Sequence, residues 1–225
     1  MTAVDITQLY DARRDCYYDK PLLRGWVHAA AFVAAVLFGI ALIADAASDS
    51  RSVVASVYAV SVVGLFGAST LYHRGSWTAP MSRRLQRLDH TMIIVLIAGT
   101  ATPPMALSLT GSLRVAALAL LWSLAAVAVL VRLMWMTAPE ILAGSIYLGL
   151  GWIAGAAVPA VWIRHGVGPA VLLLAGGVLY MVGALGYHHR FPNPRPSVFG
   201  YHEVFHTYVT AAAACQYVAI GCFLL

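Results

Sequence analysis

The chain has 225 residues, of which 61% are hydrophobic and only 10% are charged, with a formal net charge of +5 and a mean hydropathy of +0.79. A soluble domain is roughly 45–50% apolar and about 25% charged, so this composition excludes an ordinary soluble protein. The basic residues occur in short groups, which favours contacts with anionic lipids over a nucleic-acid surface. The sequence contains no glycine-rich phosphate loop or other nucleotide motif.

Seven apolar segments are long enough to cross a membrane, whose hydrocarbon core of about 30 Å needs about 20 helical residues. They are unbroken apolar runs without the alternation of barrel strands, so the predicted fold is all-α, a polytopic membrane protein with seven transmembrane helices. Residues 1–21 are predicted to form a short cytoplasmic arm, and residues 22–225 a single transmembrane domain. The segments are Leu22–Ala44, Ser52–Tyr72, His90–Leu109, Leu113–Trp135, Ile141–Val161, Val167–Tyr187 and Tyr201–Leu225.

The basic residues also predict the orientation of the bundle. If the N-terminus is cytoplasmic, the cytoplasmic side carries 11 of the 14 Lys and Arg residues and the outer side carries three. Positive residues concentrate on the cytoplasmic side of a bilayer. The sequence therefore predicts a cytoplasmic N-terminus and, because the number of spans is odd, an outer C-terminus.

His202 and His206 are the most informative pair in the sequence, in the run FGYHEVFHTY that opens the seventh segment. Residues four apart share one face of a helix, so both imidazoles point the same way. Ionisable residues are costly inside a membrane and usually mark a function. Two neutral imidazoles on one face form half of a tetrahedral zinc site.

Two other segments bring polar residues to the same end of the bundle. The second segment ends in ASTLYHR, which places Ser69 and His73 one turn apart near its cytoplasmic end. The third segment is predicted to begin at His90, with Asp89 at the start of the helix, where the helix dipole favours a carboxylate. In the predicted topology these residues lie at the same depth and on the same side as the histidine pair of the seventh segment.

Together these residues predict a Zn²⁺ centre. His73, His202 and His206 would be the metal ligands, and three protein ligands with an open fourth position are typical of a catalytic zinc. Asp89 and Ser69 are predicted to be catalytic: Asp89 would bind or deprotonate a water molecule, and Ser69 would hydrogen-bond to Asp89 or to a substrate oxygen. A structural zinc that holds the helices together is the alternative.

The order and spacing of these motifs resemble the progestin and adiponectin receptor family, in its bacterial hemolysin III branch. The resemblance covers about residues 20–225 and implies seven helices with an inward N-terminus. It also implies a zinc held by His73, His202 and His206, contacted through water by Asp89 and supported by Ser69. Because the family belongs to a wider group that contains alkaline ceramidases, it implies hydrolysis of a lipid amide. The similar stretches are LRGWVH, S-x-x-x-H at 69–73, Asp89-His90, TATPP at 100–104 and RFPNPRPSVFGYHEVFH.

Several histidines and one glutamate allow other interpretations. HEVFH also matches H-E-x-x-H, in which the glutamate is the general base of a zinc metalloprotease. The histidine and aspartate of the second and third segments complete a site without Glu203. The sequence therefore favours a position for Glu203 at the cytoplasmic edge of the membrane, or one in which it supports the site residues. His28 is predicted to be an interhelical hydrogen-bond partner, and His188 and His189 are predicted to anchor the interface.

The sequence leaves two classes of function open. The first is a zinc-dependent hydrolase of membrane lipids, ceramidase-like and acting on amides at the cytoplasmic side, which would contribute to membrane homeostasis. The alternative is a non-enzymatic membrane sensor or a pore-forming cytolysin with a structural zinc. A pore should show a polar stripe through several helices, whereas here the polar residues gather at one end.

Membrane lipids are the predicted environment and substrate, and no nucleic-acid or nucleotide partner is expected. The chain contains 13 Arg against one Lys and is rich in Ala, which indicates a bacterial genome of high GC content. The sequence therefore predicts a multi-pass protein of the bacterial plasma membrane.

Overall fold

A computed structural model describes residues 8–11, 15–135 and 139–225 of the chain. The described part consists of a small N-terminal hairpin and a bundle of helices. Residues 1–7 and 12–14 of the predicted arm lie outside the described residues. The helices are α1 (Trp26–Ala44), α2 (Asp49–Arg74), α3 (Ala79–Ser108), α4 (Gly111–Met134), α5 (Glu140–Gly155), α6 (Val158–His165), α7 (Val167–His189) and α8 (Tyr201–Ala219), which continues as a π-helical turn over Ile220–Leu224.

Seven helical spans within the described ranges are long and apolar enough to cross a membrane. Five of them are single helices. The last is α8 with its π-helical end, and α5 and α6 together form the fifth span. The predicted all-α polytopic membrane fold is therefore confirmed. The chain is a multi-pass protein of the membrane, and the side that each end faces remains a prediction.

The third helix is much longer than the sequence analysis predicted. It begins at Ala79, with Pro80 in its first turn, whereas the predicted segment began at His90. The residues between Ala79 and His90 are rich in Arg and Leu, which are good helix formers. The helix therefore extends on its N-terminal side beyond its apolar part. Asp89 is consequently the eleventh residue of α3. The prediction that the helix dipole stabilises its carboxylate is wrong, because that effect is confined to the first turn.

The fifth span was predicted as one segment, Ile141–Val161, and the structure divides it. A break at Ala156 and Ala157 separates α5 from α6, and the span extends to His165. Pro159 lies in the first turn of α6 and has no N–H with which to continue the hydrogen bonding of α5. The break lies in the part of the bundle farther from the histidines.

An apolar cluster beneath the histidines joins four helices. It contains side chains of α1, α2, α3 and α8, among them Phe66 and Leu96, both 3% exposed. Gly99 allows α2 and α3 to approach closely, since a Cβ at this position would lie 2.2 Å from Ser61 Oγ. The helices that carry the candidate site are therefore fixed by packing directly below it.

The N-terminal arm forms an antiparallel hairpin of β1 (Gln8–Asp11) and β2 (Cys16–Asp19). Tyr10 is 4% exposed, and its hydroxyl accepts a hydrogen bond from Arg83 Nη1 at 2.7 Å. The Ser82 hydroxyl donates to the Tyr10 carbonyl at 3.4 Å. The hairpin is thus docked against the first turns of α3, at the end of the bundle that carries the histidines.

Cys16 provides a test of the predicted orientation, because it is exposed on β2 at this end. In a variant in which Cys215 and Cys222 are Ser, a membrane-impermeant maleimide should label Cys16 only after cells are permeabilised. The matched control has Ser in place of all three native cysteines and carries Ala47→Cys, in the exposed link between α1 and α2 at the opposite end. This variant should be labelled in intact cells. The reverse labelling pattern would show that the bundle has the opposite orientation.

Candidate metal centre

Three histidines converge where α2 ends and α8 begins. His73 is the penultimate residue of α2, and His202 and His206 lie in the first two turns of α8. One ring nitrogen of each lies within 4.8 Å of those of the other two. The Nε2 atoms of His202 and His206 are 3.0 Å apart. Among the described residues this cluster could hold a metal ion, and it is the ligand set that the sequence singled out.

The donor set and its spacing fit a small transition-metal ion. Tetrahedral zinc with Zn–N bonds of about 2.0–2.1 Å separates its ligand nitrogens by about 3.3 Å, close to the spacing of His202 and His206 on α8. The third nitrogen, of His73, lies within 4.8 Å of the other two. Imidazole ligands suit zinc, copper, iron and nickel, so the geometry indicates a cluster that could hold a metal ion without selecting which one.

Gly25 allows α1 to begin directly against the cluster. Its φ of 78° lies in the left-handed region, which glycine adopts without the steric cost of a Cβ. A Cβ here would also lie 2.9 Å from His73 Cβ. The sequence analysis began this segment at Leu22, but the turn at Gly25 places the helix start at Trp26. Arg24 and His28, on either side of the turn, consequently both reach residues of α8.

Asp89 and Ser69 lie beside the histidines. Asp89 Oδ2 is 3.8 Å from His73 Nε2, and the residue is 8% exposed. Ser69 is 1% exposed, and its hydroxyl interacts with the Asp89 carboxyl group. The structure thus brings together all five residues that the sequence analysis assigned to the site, from α2, α3 and α8. Their assigned chemical roles remain predictions.

His28 joins the site from α1. Its Nδ1 lies 2.8 Å from Ser69 Oγ, and its ring is stacked on that of His206 with centroids 3.7 Å apart. The contact with Ser69 agrees with the predicted interhelical hydrogen bond. The stacking on a candidate ligand was not predicted, because a sequence does not show which helices are neighbours.

Glu203 is the most deeply buried charged residue among those described, with 0% exposure. Its Oε1 accepts a hydrogen bond from Arg24 Nε at 2.5 Å, and its Oε2 accepts from the Gly200 N–H at 2.8 Å. Both carboxylate oxygens are therefore engaged away from the histidines. A metalloprotease needs this glutamate beside the metal as a base, so the structure speaks against that interpretation and for a supporting position.

Replacing Glu203 with Gln tests this assignment. The substitution leaves Arg24 buried without a counter-charge. Removing one partner of a buried ion pair typically lowers the free energy of unfolding by about 3–5 kcal/mol. We expect a clear fall in the thermal unfolding temperature of the purified variant, with its metal content unchanged. The matched control, Arg24→Met with Glu203→Met, removes both charges and should recover most of the lost stability. Wild-type stability in Glu203→Gln would contradict the assignment.

Two basic residues, Lys20 and Arg74, lie next to the site. Lys20 Nζ donates to the Arg74 carbonyl at 2.6 Å, and the Arg74 guanidinium lies 4.2 Å from the centroid of the Trp26 ring. Partial burial, together with the Arg74 and Arg24 guanidinium groups, lowers the pKa of Lys20. Positive charge at this level attracts anionic lipid head groups.

His188 and His189 are exposed nearby, contact each other, and are not part of the histidine cluster that could hold a metal ion.

Arg24 is the supporting residue that the sequence analysis missed. A glutamate such as Glu203 inside a membrane-length helix requires a partner, and that requirement was the available signal. Arg24 in LRGWVH was one of the 11 basic residues predicted on the same side of the membrane. The fold was needed to choose among them.

The buried polar residues of the described chain are distributed unevenly between the two ends. All the buried Arg, Asp, Glu and His residues among them lie at the end that carries the histidines: Arg24, His28, His73, Asp89, Arg132, Glu203 and His206. Buried polar residues nearer the opposite end, such as Thr102, Ser108 and Gln216, are neutral. This distribution gathers the buried charged groups of the described residues at one end of the bundle, without a charged path through it.

Comparisons with known proteins agree with this description. The model of the "Haemolysin-III related" family matches residues 16–217. The chain is 29% identical to a "Hemolysin-3 homolog" of Bacillus subtilis over 84% of this chain and 85% of that protein. It is 31% identical to a "Hemolysin-3" of Bacillus cereus over 78% of this chain and 77% of that protein. Together with the seven spans, these relatives indicate a multi-pass protein of the bacterial plasma membrane. The chain belongs to the haemolysin-III-related family.

Proposed function

We propose that this protein is a zinc-dependent hydrolase of membrane lipids that cleaves a ceramide-like amide bond and contributes to membrane homeostasis. The observation that carries the proposal is the convergence of three imidazoles with a carboxyl group 3.8 Å from one of them, in a membrane bundle. Three protein ligands with an open position are the usual set of a catalytic zinc, whereas structural sites are usually closed by four.

The residues around the cluster supply the parts of an amide hydrolysis. A zinc ion held by His73, His202 and His206 would polarise the lipid carbonyl and lower the pKa of a water molecule toward neutrality. Asp89 would accept the proton of the attacking water and return it to the leaving amine. Ser69, whose hydroxyl interacts with the Asp89 carboxyl group, would hold that group in place.

The depth of the site suits a lipid substrate. His73 is next to the last residue of α2 and His202 is the second residue of α8, so the cluster lies at the ends of two spans. The linkage between head group and acyl chains of a lipid lies at this level of a bilayer. We place the site on the cytoplasmic side, following the distribution of basic residues, which attract anionic lipids of that leaflet.

Metal analysis and a hydrolysis assay on the same purified sample test the proposal. The protein in detergent should contain one zinc per chain and release fatty acid from a ceramide-type lipid. An ester of the same acyl chain, measured in parallel, establishes whether the amide is preferred. Zinc-loaded, folded protein that releases no fatty acid from either lipid would leave the metal with a structural role, as a link between α2, α3 and α8.

A second candidate function follows from the printed names of the relatives, which describe hemolysins. Purified protein added to liposomes would then release an enclosed dye, and release would persist when the histidines are replaced. The absence of a charged path among the described residues favours the hydrolase. Dye release that is independent of the histidines would favour the cytolysin.

A further inference from the structure

We propose that an anionic phospholipid binds beside α4, with its phosphate on Arg132 and one acyl chain in a groove between α3 and α4. Arg132 lies in the last turn of α4 and is 3% exposed. Its Nη2 donates a hydrogen bond to His90 Nδ1 at 2.6 Å, whereas its Nε and Nη1 have no hydrogen-bond partner. The inference is independent of the proposed hydrolysis, because the site contains none of the candidate metal ligands or catalytic residues.

The guanidinium group of Arg132 is a buried charge without an opposite charge. None of the ion pairs of the described residues includes it, and the ring of His90 supplies no negative charge. The C-terminal end of α4 favours a cation, but Nε and Nη1 form no hydrogen bonds with its carbonyl groups. Ionisable residues at membrane depth pair with a partner or mark a ligand. The surrounding membrane is the nearest source of an anion for Arg132.

The unpaired part of the guanidinium suits a phosphate group. A guanidinium has five N–H groups in one plane, and His90 takes one of the two hydrogens on Nη2. The other is parallel to a hydrogen of either Nε or Nη1, and both of these nitrogens are unpaired. One edge with two parallel N–H groups therefore stays free in either case. Such an edge binds two oxygens of one phosphate group, and basic pockets between transmembrane helices bind lipid head groups.

An apolar groove leads away from this end of α4. Two cavities of about 330 Å³ each, open to the outside of the bundle, share Val95 and Trp122 in their walls. Ligand pockets usually measure about 300–1,000 Å³. The first cavity reaches Val129, which lies on the same face of α4 as Arg132, three residues later. The second cavity continues along α2 to Ser56, toward the opposite end of the bundle.

An anionic phospholipid matches the charge and the groove together. Arg132 lies at the end of its span, where the phosphate groups of a bilayer lie, and arginine side chains reach toward that level. Among the lining residues, Val60 and Leu130 are 68% and 57% exposed, and an acyl chain would cover them. A free phosphate ion would neutralise the arginine but leave the groove empty.

Native mass spectrometry of delipidated protein tests the head-group contact, with equal amounts of phosphatidylglycerol and phosphatidylcholine of the same acyl chains. The wild-type protein should retain one phosphatidylglycerol per chain in preference to phosphatidylcholine. In Arg132→Met this retention should fall about tenfold, because the hydrogen bonds to a charged group are lost. The matched control, Arg114→Met, removes an exposed arginine at the other end of α4 and should behave as the wild type. Equal retention in Arg132→Met and wild type would overturn the inference.

A second pair of variants tests the groove. Ala126→Phe fills the first cavity from the exposed face of α4 and should also lower retention, whereas Ala116→Phe, exposed on the same helix outside both cavities, should not. Unchanged retention in Ala126→Phe would contradict a lipid in the groove.

The unfolding temperature in detergent gives a readout that does not count lipids. Phosphatidylglycerol should raise it for the wild-type protein and not for Arg132→Met. Without lipid, Arg132→Met should unfold no lower than the wild type, because it removes an unpaired buried charge. Two outcomes would overturn the inference. An equal rise with inorganic phosphate alone would assign the site to a free anion, and a clearly less stable Arg132→Met would show that the protein itself neutralises the arginine.

Discussion

Replacing His202 and His206 together with alanine is expected to remove the bound metal completely, from one zinc per chain to background. The two residues supply two of the three nitrogens of the cluster, and His73 alone leaves a single ligand. A lone imidazole does not retain zinc through purification. Metal analysis of detergent-purified protein, normalised to protein concentration, measures the effect.

The matched control for this variant is the replacement of His188 and His189, two exposed histidines at the end of α7. This double variant also removes two imidazoles from the same end of the bundle, and it should keep one zinc per chain. Retention of one zinc per chain in the His202, His206 variant would place the metal elsewhere. Loss of zinc in the control alone would have the same meaning.

The second large effect is expected for Asp89→Asn. Asparagine has nearly the same size and can still accept a hydrogen bond from Ser69, but it cannot take a proton. General-base catalysis contributes about 10²- to 10⁴-fold to a rate, so fatty-acid release should fall by about that factor. Zinc content and the unfolding temperature should stay close to those of the wild-type protein.

The position of Asp89 in the middle of α3 makes this substitution more informative than the sequence suggested. At the start of a helix, the carboxylate would also stabilise the helix end, and its loss would mix two effects. As the eleventh residue of α3, Asp89 has no such role. A variant with full zinc and wild-type activity would exclude Asp89 as the base.

Much of the architecture could be predicted from the sequence because the bilayer imposes a simple requirement. Each span needs about 20 apolar residues, and the seven predicted segments correspond to the seven observed spans. The boundaries were less predictable, because apolarity marks where a helix enters the membrane and not where it begins. Thus α3 starts at Ala79, well before its apolar part, and Pro159 divides the fifth span.

The candidate ligands could be predicted because their signals are local or topological. His202 and His206 share a helix face by their spacing, and the predicted topology gave His73 and Asp89 the same depth. The supporting contacts depend on which helices are neighbours, which no spacing reveals. The stacking of His28 on His206 and the ion pair of Arg24 therefore required the structure.

The most direct test of a zinc-dependent lipid hydrolase is to restore activity by returning the metal. Purified wild-type protein is depleted with a chelator, and zinc is added back in steps while fatty-acid release from a ceramide-type lipid is measured. We predict that activity is absent after depletion, rises in proportion to bound zinc, and saturates at one zinc per chain. Hydrolysis that persists without metal, or zinc-saturated protein that releases no fatty acid, would contradict this account.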